Sequence, residues 1–232
     1  TNFDNIEQFP SGTYWSSEDN NFNRYYYFNY KIKDYEEEEM YKMLHDKLDN
    51  AVKKRLLSDR KVACLLSGGL DSTLVTAIVV KYLGEYNVNT YSIGLKGSID
   101  LKYAKMASEY LKTNHTSIEL TEEQFLNSIE KTIYQIESWD TTSVRASVGN
   151  YLVSLYIKEN SNDTVIFCGD VSDEIFASYR GFMCADSEEN YFKENIRMIQ
   201  HIRYFDVLRS DKSISGASLE ARVPFGDKEF ID

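Results

Sequence analysis

The sequence predicts an α/β protein built on a parallel sheet with helices on both faces. Three observations carry that expectation. Strand-like runs recur at 62–66, 88–95, 115–120 and 165–168, the first and last of them short, uninterrupted and apolar, as strands covered on both faces are. Stretches with helical spacing separate the runs, and a chain that returns through a helix after each strand makes right-handed crossovers and parallel pairs. The first run ends in a glycine-rich turn that opens a helix. In such sheets ligands bind beyond the carboxyl ends of the strands, which points to the loops after Leu66, Leu95 and Cys168.

Taken in order, the first thirty-odd residues are rich in Asn, Tyr and Phe, with Pro10, Ser11 and Gly12 marking a turn, and read as an appendage. From Tyr35 to Leu57 the positions Met40, Leu44, Leu48, Val52 and Leu56 recur every four residues and describe the buried face of a helix. Its acidic start, Glu36 to Glu39, suits a solvated first turn. Val62 to Leu66 is the first strand, and a helix from Thr73 to Tyr82 follows it, closed by Gly84. Val88 to Leu95 is the second strand, Asp100 to Leu111 a helix with Leu101, Ala104, Ala107 and Leu111 inward, and His115 to Leu120 the third strand. Thr121 and Gln124 have capping-box spacing and open a helix carrying Phe125, Ile129, Ile133 and Ile136 on one side. A helix around Gly149 to Ile157 leads to the fourth strand, Val165 to Cys168.

With 232 residues, 42% of them hydrophobic, the chain can bury a full core. Acidic residues outnumber basic ones by 37 to 26, a net charge of -11, so the surface as a whole repels nucleic acid and anionic membranes. A polyanionic ligand therefore needs a local electropositive pocket. Neither a secretory signal nor an apolar run long enough for a bilayer is present in the sequence, and a cytoplasmic location is expected. Cys64 and Cys168 lie inside apolar runs, and all three cysteines, Cys184 included, are expected as buried thiols without metal-ligand spacing.

The turn after the first strand reads Ser67-Gly68-Gly69-Leu70-Asp71-Ser72. Adjacent glycines let the backbone approach a phosphate, and the helix start offers unpaired N–H groups to the anion. Ser67 and Ser72 add hydroxyl donors, and Asp71 a carboxylate able to hold Mg²⁺ between phosphates. The Gly-Lys-Ser/Thr of a Walker A loop is absent. A lone Ser-Gly-Gly describes an ordinary turn; the combination of strand, six-residue loop and helix is more specific.

That loop resembles the PP-loop of the ATP pyrophosphatases, which cleave ATP between the α and β phosphates and transfer AMP. Three further stretches resemble glutamine-dependent asparagine synthetases: Gly94 to Leu101, Ile136 to Asp140 running into Arg145-Ala146-Ser147, and Leu219 to Asp227. The order and spacing match over nearly the whole chain. At the fourth strand, Cys168-Gly169-Asp170-Val171-Ser172-Asp173-Glu174 resembles the family's S-G-E-G-S-D-E. The resemblance implies an adenine-nucleotide alpha-hydrolase-like sheet over 35–232, preceded at 1–34 by the end of a glutaminase domain and a linker. It implies ATP and Mg²⁺, aspartate as the activated acid, ammonia released from glutamine by a glutaminase domain, and a homodimer. Asp173 joins Asp71 at the metal; Leu65, Ile93, Cys168 and Gly169 line the adenosine site; Asp170 takes part in forming the aspartyl-adenylate. Arg145 offers a bidentate pair for a substrate carboxylate, with a surface role as the alternative. Arg209 and Lys212 are candidates to face phosphates, and Arg222 to tie loops through backbone carbonyls.

The departures matter as much. Asp170 stands where the family has Glu, one methylene longer, and Val171 where it has Gly, which predicts ATP binding with weak adenylation. Thr1 stands where a nucleophilic cysteine is expected, and Phe9-Pro10-Ser11-Gly12-Thr13-Tyr14 resembles the closing segment of the glutaminase domain, so both ends read as cut and glutaminase chemistry as absent. Two other readings stand beside asparagine synthesis: a related amide- or β-lactam-forming ATP pyrophosphatase, and a catalytically impaired remnant.

Overall fold

In the computed structural model, which describes residues 5–27 and 33–232, the chain divides between Tyr35 and Glu36 into two units. Thr1 lies outside the described residues. The first unit holds an antiparallel hairpin, β1 (Thr13–Ser16) with β2 (Asn21–Arg24). Gly12 enters it at φ +67°, and a Cβ there would stand 2.9 Å from the Tyr26 carbonyl oxygen, so the turn requires glycine. Phe9 packs edge-on against Phe22 at 5.1 Å.

The second unit begins with α1 (Glu37–Arg55), β3 (Lys61–Leu65), α2 (Leu70–Leu83), β4 (Asn89–Leu95), α3 (Ile99–Leu111) and β5 (Asn114–Leu120). It continues through α4 (Glu122–Asn127), α5 (Ile129–Ile136), α6 (Thr141–Asn160), β6 (Asp163–Phe167), α7 (Ser172–Ile175), α8 (Glu188–His201), α9 (Asp206–Ser215), β7 (Glu220–Arg222) and α10 (Lys228–Ile231). Five strands form one sheet in the order β5-β4-β3-β6-β7, every pair parallel. Side chains alternate across it, so the two faces feed two cores. Cys64, Val165 and Phe167 pack with Val52, Val75 and Val79 of α1 and α2. Ala63 and Ile166 pack with Ile157 of α6 and Ile214 of α9 on the other face. The expected parallel sheet, helices on both faces, is what the chain forms.

Several elements differ from the sequence reading. Helix α2 starts at Leu70 rather than Thr73, which puts Asp71 and Ser72 in its first turn. The capping box of Thr121 and Gln124 is formed, but the helix it opens breaks at Ser128, whose hydroxyl turns back to the Gln124 carbonyl at 2.8 Å. Helix α6 begins at Thr141, where the Asp140 carboxylate accepts from the Ser143 N–H at 2.8 Å. Met40 is exposed, one turn before the buried stripe begins. Cys184 is exposed too, whereas Cys64 and Cys168 are buried as expected.

Arg222 lies in a strand, β7, not a loop. Its guanidinium donates to the carbonyl oxygens of Arg55 and, at 2.9 Å, Leu57, which ties β7 to the end of α1 in the structural role expected. Five residues on, the Asp227 carboxylate is nearly buried and receives Lys54 at 2.6 Å and Arg55 at 2.5 Å. Burial alone would raise its pKa, but the two cations outweigh that and hold it below the usual carboxylate range.

Candidate functional site

Strand order places the crevice. β4 and β5 lie on one side of β3, while β6 and β7 lie on the other, so the chain reverses direction of assembly between β3 and β6. Adjacent strand ends diverge there and leave room for a ligand. The loop leaving β3 passes so close to α3 that a Cβ on Gly68, at φ +80°, would fall 2.3 Å from the Tyr103 carbonyl carbon and 2.4 Å from the Ala104 nitrogen. Gly69 is different: a Cβ there would meet only the Ser67 hydroxyl, at 3.4 Å. The loop is held by its own serines, with Ser67 Oγ 2.9 Å from Ser72 Oγ and the Ser67 N–H donating to Ser72 Oγ at 3.2 Å. From the neighbouring strand, Gly169 is pressed onto the first turn of α2, where a Cβ would come 2.7 Å from the Ser72 nitrogen. The two strand exits are thus locked against one helix start, whose first N–H groups have no acceptor within the helix.

Between them lies a cavity of about 210 Å³ walled by Ser67, Gly69 and Asp71 from one strand exit, and Asp170, Asp173 and Glu174 from the other. Asn150 of α6 and Asp206 and Arg209 of α9 complete it. The space suits a pyrophosphate or an amino acid. Acids dominate the wall. Burial raises the Asp71 pKa, the neighbouring Asp173 and Asp170 raise it further, and the Ser172 hydroxyl, donating to Asp71 Oδ1 at 2.9 Å, only partly offsets them. Such crowding of carboxylates is relieved by a hard cation. Asp71 and Asp173 fit Mg²⁺, which takes one or two carboxylates and leaves its other positions to phosphate oxygens and water. Among the described residues no group of three or more His, Cys, Asp or Glu is arranged to hold a metal ion alone.

Deeper in the wall, burial and then the adjacent Asp206 push the Glu174 pKa up to about 8, against the lowering effect of the Tyr179 hydroxyl that donates to it. Arg209 answers both remaining acids, at 2.5 Å from Asp206 Oδ1 and 3.3 Å from Asp170 Oδ1. Its Nε is buried with no hydrogen-bond partner. Val171, buried and β-branched, sits at φ +80°, ψ -15°, a left-handed conformation that costs a non-glycine residue roughly 1–3 kcal/mol.

Glu174 gives a first expected result. A carboxyl raised from its ordinary range keeps its proton longer in the folded protein than in the unfolded chain. Folding therefore binds a proton between the ordinary value and about pH 8, and stability falls as pH rises through that window, by up to about 1.4 kcal/mol per pH unit. Gln preserves an acceptor for Tyr179 and adds a donor toward Asp206. Urea melts from pH 5 to 8 should show Glu174→Gln losing that slope; parallel wild-type and variant curves would refute the assignment.

Of the residues singled out from sequence, Leu65, Ser67, Gly69, Asp71, Ser72, Cys168, Gly169, Asp170 and Asp173 line the one cavity. Gly68 stands behind it as a packing residue. Ile93 is half-buried in β4 and Arg145 exposed on α6, and neither lines the cavity. Lys212 is ion-paired with Glu137 and lies outside the lining; Arg209 is within it. Sequence spacing does not mark four further residues: Asn150 of α6, Asp206 of α9 and Tyr179 in the bend after α7 line the cavity, and Ser210 of α9 reaches it through its bond to Asp170.

The family model described as asparagine synthase matches residues 43–196 and 185–232. Asparagine synthetase [glutamine-hydrolyzing] of Mus musculus and that of Homo sapiens are each 42% identical over 186 residues, 78% of this chain and 33% of theirs. The chain thus spans about a third of the length of the curated relatives it matches. Among solved structures, NH3-dependent NAD synthetase from Campylobacter jejuni aligns at TM-score 0.41 and 18% identity, over 71% of this chain and 75% of that one, too distant to inform the chemistry.

Proposed function

The chain belongs to the asparagine synthase family, and from that premise we propose that its second unit carries the ATP-dependent half of asparagine formation. The side-chain carboxylate of aspartate attacks the α-phosphorus of ATP, the bond to the β-phosphate oxygen breaks, and β-aspartyl-AMP and pyrophosphate result. Ammonia then attacks the acyl carbon, expelling AMP. The observation that supports this reading is the convergence of two strand exits on the start of α2, with Gly69 and Asp71 lining the cavity from one exit and Asp173 from the other.

In this reading Ser67, Ser72 and the N–H groups of α2's first turn bind the departing pyrophosphate, and Asp71 and Asp173 hold magnesium. Magnesium, when bound, neutralises phosphate charge that this acidic wall cannot. A carboxylate oxygen needs no base to attack, so the protein's contribution is alignment and charge placement. Arg209, with an unused donor, is better placed than Arg145 to meet the amino acid. The N-terminal hairpin is read as the end of a glutaminase domain that supplies the ammonia, and the enzyme as a cytoplasmic homodimer.

A second reading, an impaired synthetase, is favoured by the shortened Asp170 beside a strained Val171. Exchange of labelled pyrophosphate into ATP tests both. Aspartate should stimulate it, slowly in the wild type and at least about tenfold faster in Asp170→Glu with Val171→Gly, given that about 1 Å of misplacement costs on the order of a hundredfold. Stimulation by a different acid would reject aspartate as substrate, and none in either protein would reject the adenylation reading.

A further inference from the structure

We propose that Ser210 is a positioning residue for Asp170, holding the shortened carboxylate against α9 in the cavity. This rests on the adenylation reading above. Ser210 is 1% exposed, on the first turns of α9, and its hydroxyl lies within hydrogen-bond reach of two acceptors: the Asp206 carbonyl one turn back, at 2.9 Å, and Asp170 Oδ2. A hydroxyl has one proton to give. A helical serine ordinarily gives it to the carbonyl four residues earlier, but a carboxylate accepts the stronger, charge-assisted bond. The proton therefore goes to Asp170.

The other Asp170 oxygen faces Arg209 Nη2 at 3.3 Å, beyond good hydrogen-bond length, and Arg209 is drawn more closely to Asp206 at 2.5 Å. Of these two donors from α9, Ser210 is the better placed to hold Asp170. The tethering matters because Asp170 lies in the loop between β6 and α7, just before the left-handed Val171, where the acid has no regular element to lean on. A longer glutamate at 170 would carry its carboxylate past the serine, so the contact belongs to aspartate. Position 210 and position 170 form one functional pair, forty residues apart in sequence.

Two measurements on the wild-type protein and its variants test this. Thermal unfolding of Ser210→Ala, Asp170→Ala and the double variant should show overlapping losses, with the double melting about 3 °C or more above the additive expectation. In pyrophosphate exchange Ser210→Ala should turn over at least about tenfold more slowly with its apparent affinity for ATP unchanged. Ser210→Thr, which keeps the hydroxyl, should restore the rate, and in an Asp170→Glu background Ser210→Ala should change it less than about threefold. Additive melting losses would overturn the contact, and equal losses of turnover and ATP affinity would overturn the positioning role. Absence of exchange in the wild type with any acid would remove the adenylation reading and the role with it, while the melting cycle would still decide the contact.

Discussion

Asp71→Asn is expected to yield a protein that melts at a higher temperature and turns over on the order of a hundred to a thousandfold more slowly. Both halves follow from one arrangement. Burial and the repulsion of Asp173 and Asp170 raise the Asp71 pKa, so ionising it costs more in the folded protein than in the unfolded chain. Asparagine removes that charge and keeps an oxygen to accept from Ser172, which now donates to Asp71 at 2.9 Å. The sign is testable: a raised carboxyl destabilises where it is ionised, so the variant's advantage should be full near neutral pH and vanish as pH falls below the ordinary carboxylate range. The same substitution removes one of two carboxylates fitted to magnesium, and with it the local means of accepting ATP's phosphates into an acidic wall. Melting of wild type and variant with and without Mg-ATP, beside pyrophosphate exchange, checks the pair of effects. A destabilised variant, or one that exchanges at the wild-type rate, would show that Asp71 serves the fold and not the ligand.

Where composition and spacing exposed the physics, the sequence could be read directly. Strands β3 and β6 were legible because both faces are covered, which leaves apolar runs with no alternation. β7 was not, since three residues, Glu-Ala-Arg, at a sheet edge have neither length nor pattern. The break at Ser128 escaped for a different reason: apolar periodicity continues through it, while the hydroxyl that turns back on the helix has no periodic signal. Cys184 was misjudged because exposure is set by the short helical turn at 180–184, not by the residue's own preference.

The site divides along the same line. Residues on the two strand exits carry glycine and carboxylate signatures that local chemistry explains, and nine of them meet in one cavity. Those arriving from α6 and α9 depend on how helices cross the sheet, which sequence spacing does not encode. Arg145 and Arg209 illustrate it. Both are arginines on helices flanking the site, yet only Arg209 turns into the lining, because α9 delivers Asp206, Arg209 and Ser210 together to the exit of β6.

The two glycines of the loop should separate fold from function when each is replaced. Gly68 combines a left-handed φ with a Cβ position 2.3 Å from α3's backbone, and backbone cannot swing aside as a side chain can. Gly68→Val is therefore expected to cost roughly 3–5 kcal/mol, from strain and overpacking together, and to lower the melting temperature by about 6–20 °C. Whatever nucleotide affinity it loses reports on unfolding, which makes it a poor probe of the ligand. Gly69, at φ -73°, is in a conformation any residue adopts; it lines the cavity, and its Cβ would make only an ordinary contact with Ser67. Gly69→Ala should cost no more than about 1 kcal/mol as a poorer helix cap. It should nonetheless weaken ATP binding by about tenfold or more, since a methyl group then occupies the approach to the backbone N–H groups. Melting curves and calorimetric titration with Mg-ATP on the two variants decide the matter. A stable Gly68→Val protein would contradict the packing argument, and undiminished ATP affinity in Gly69→Ala would remove the phosphate from this loop.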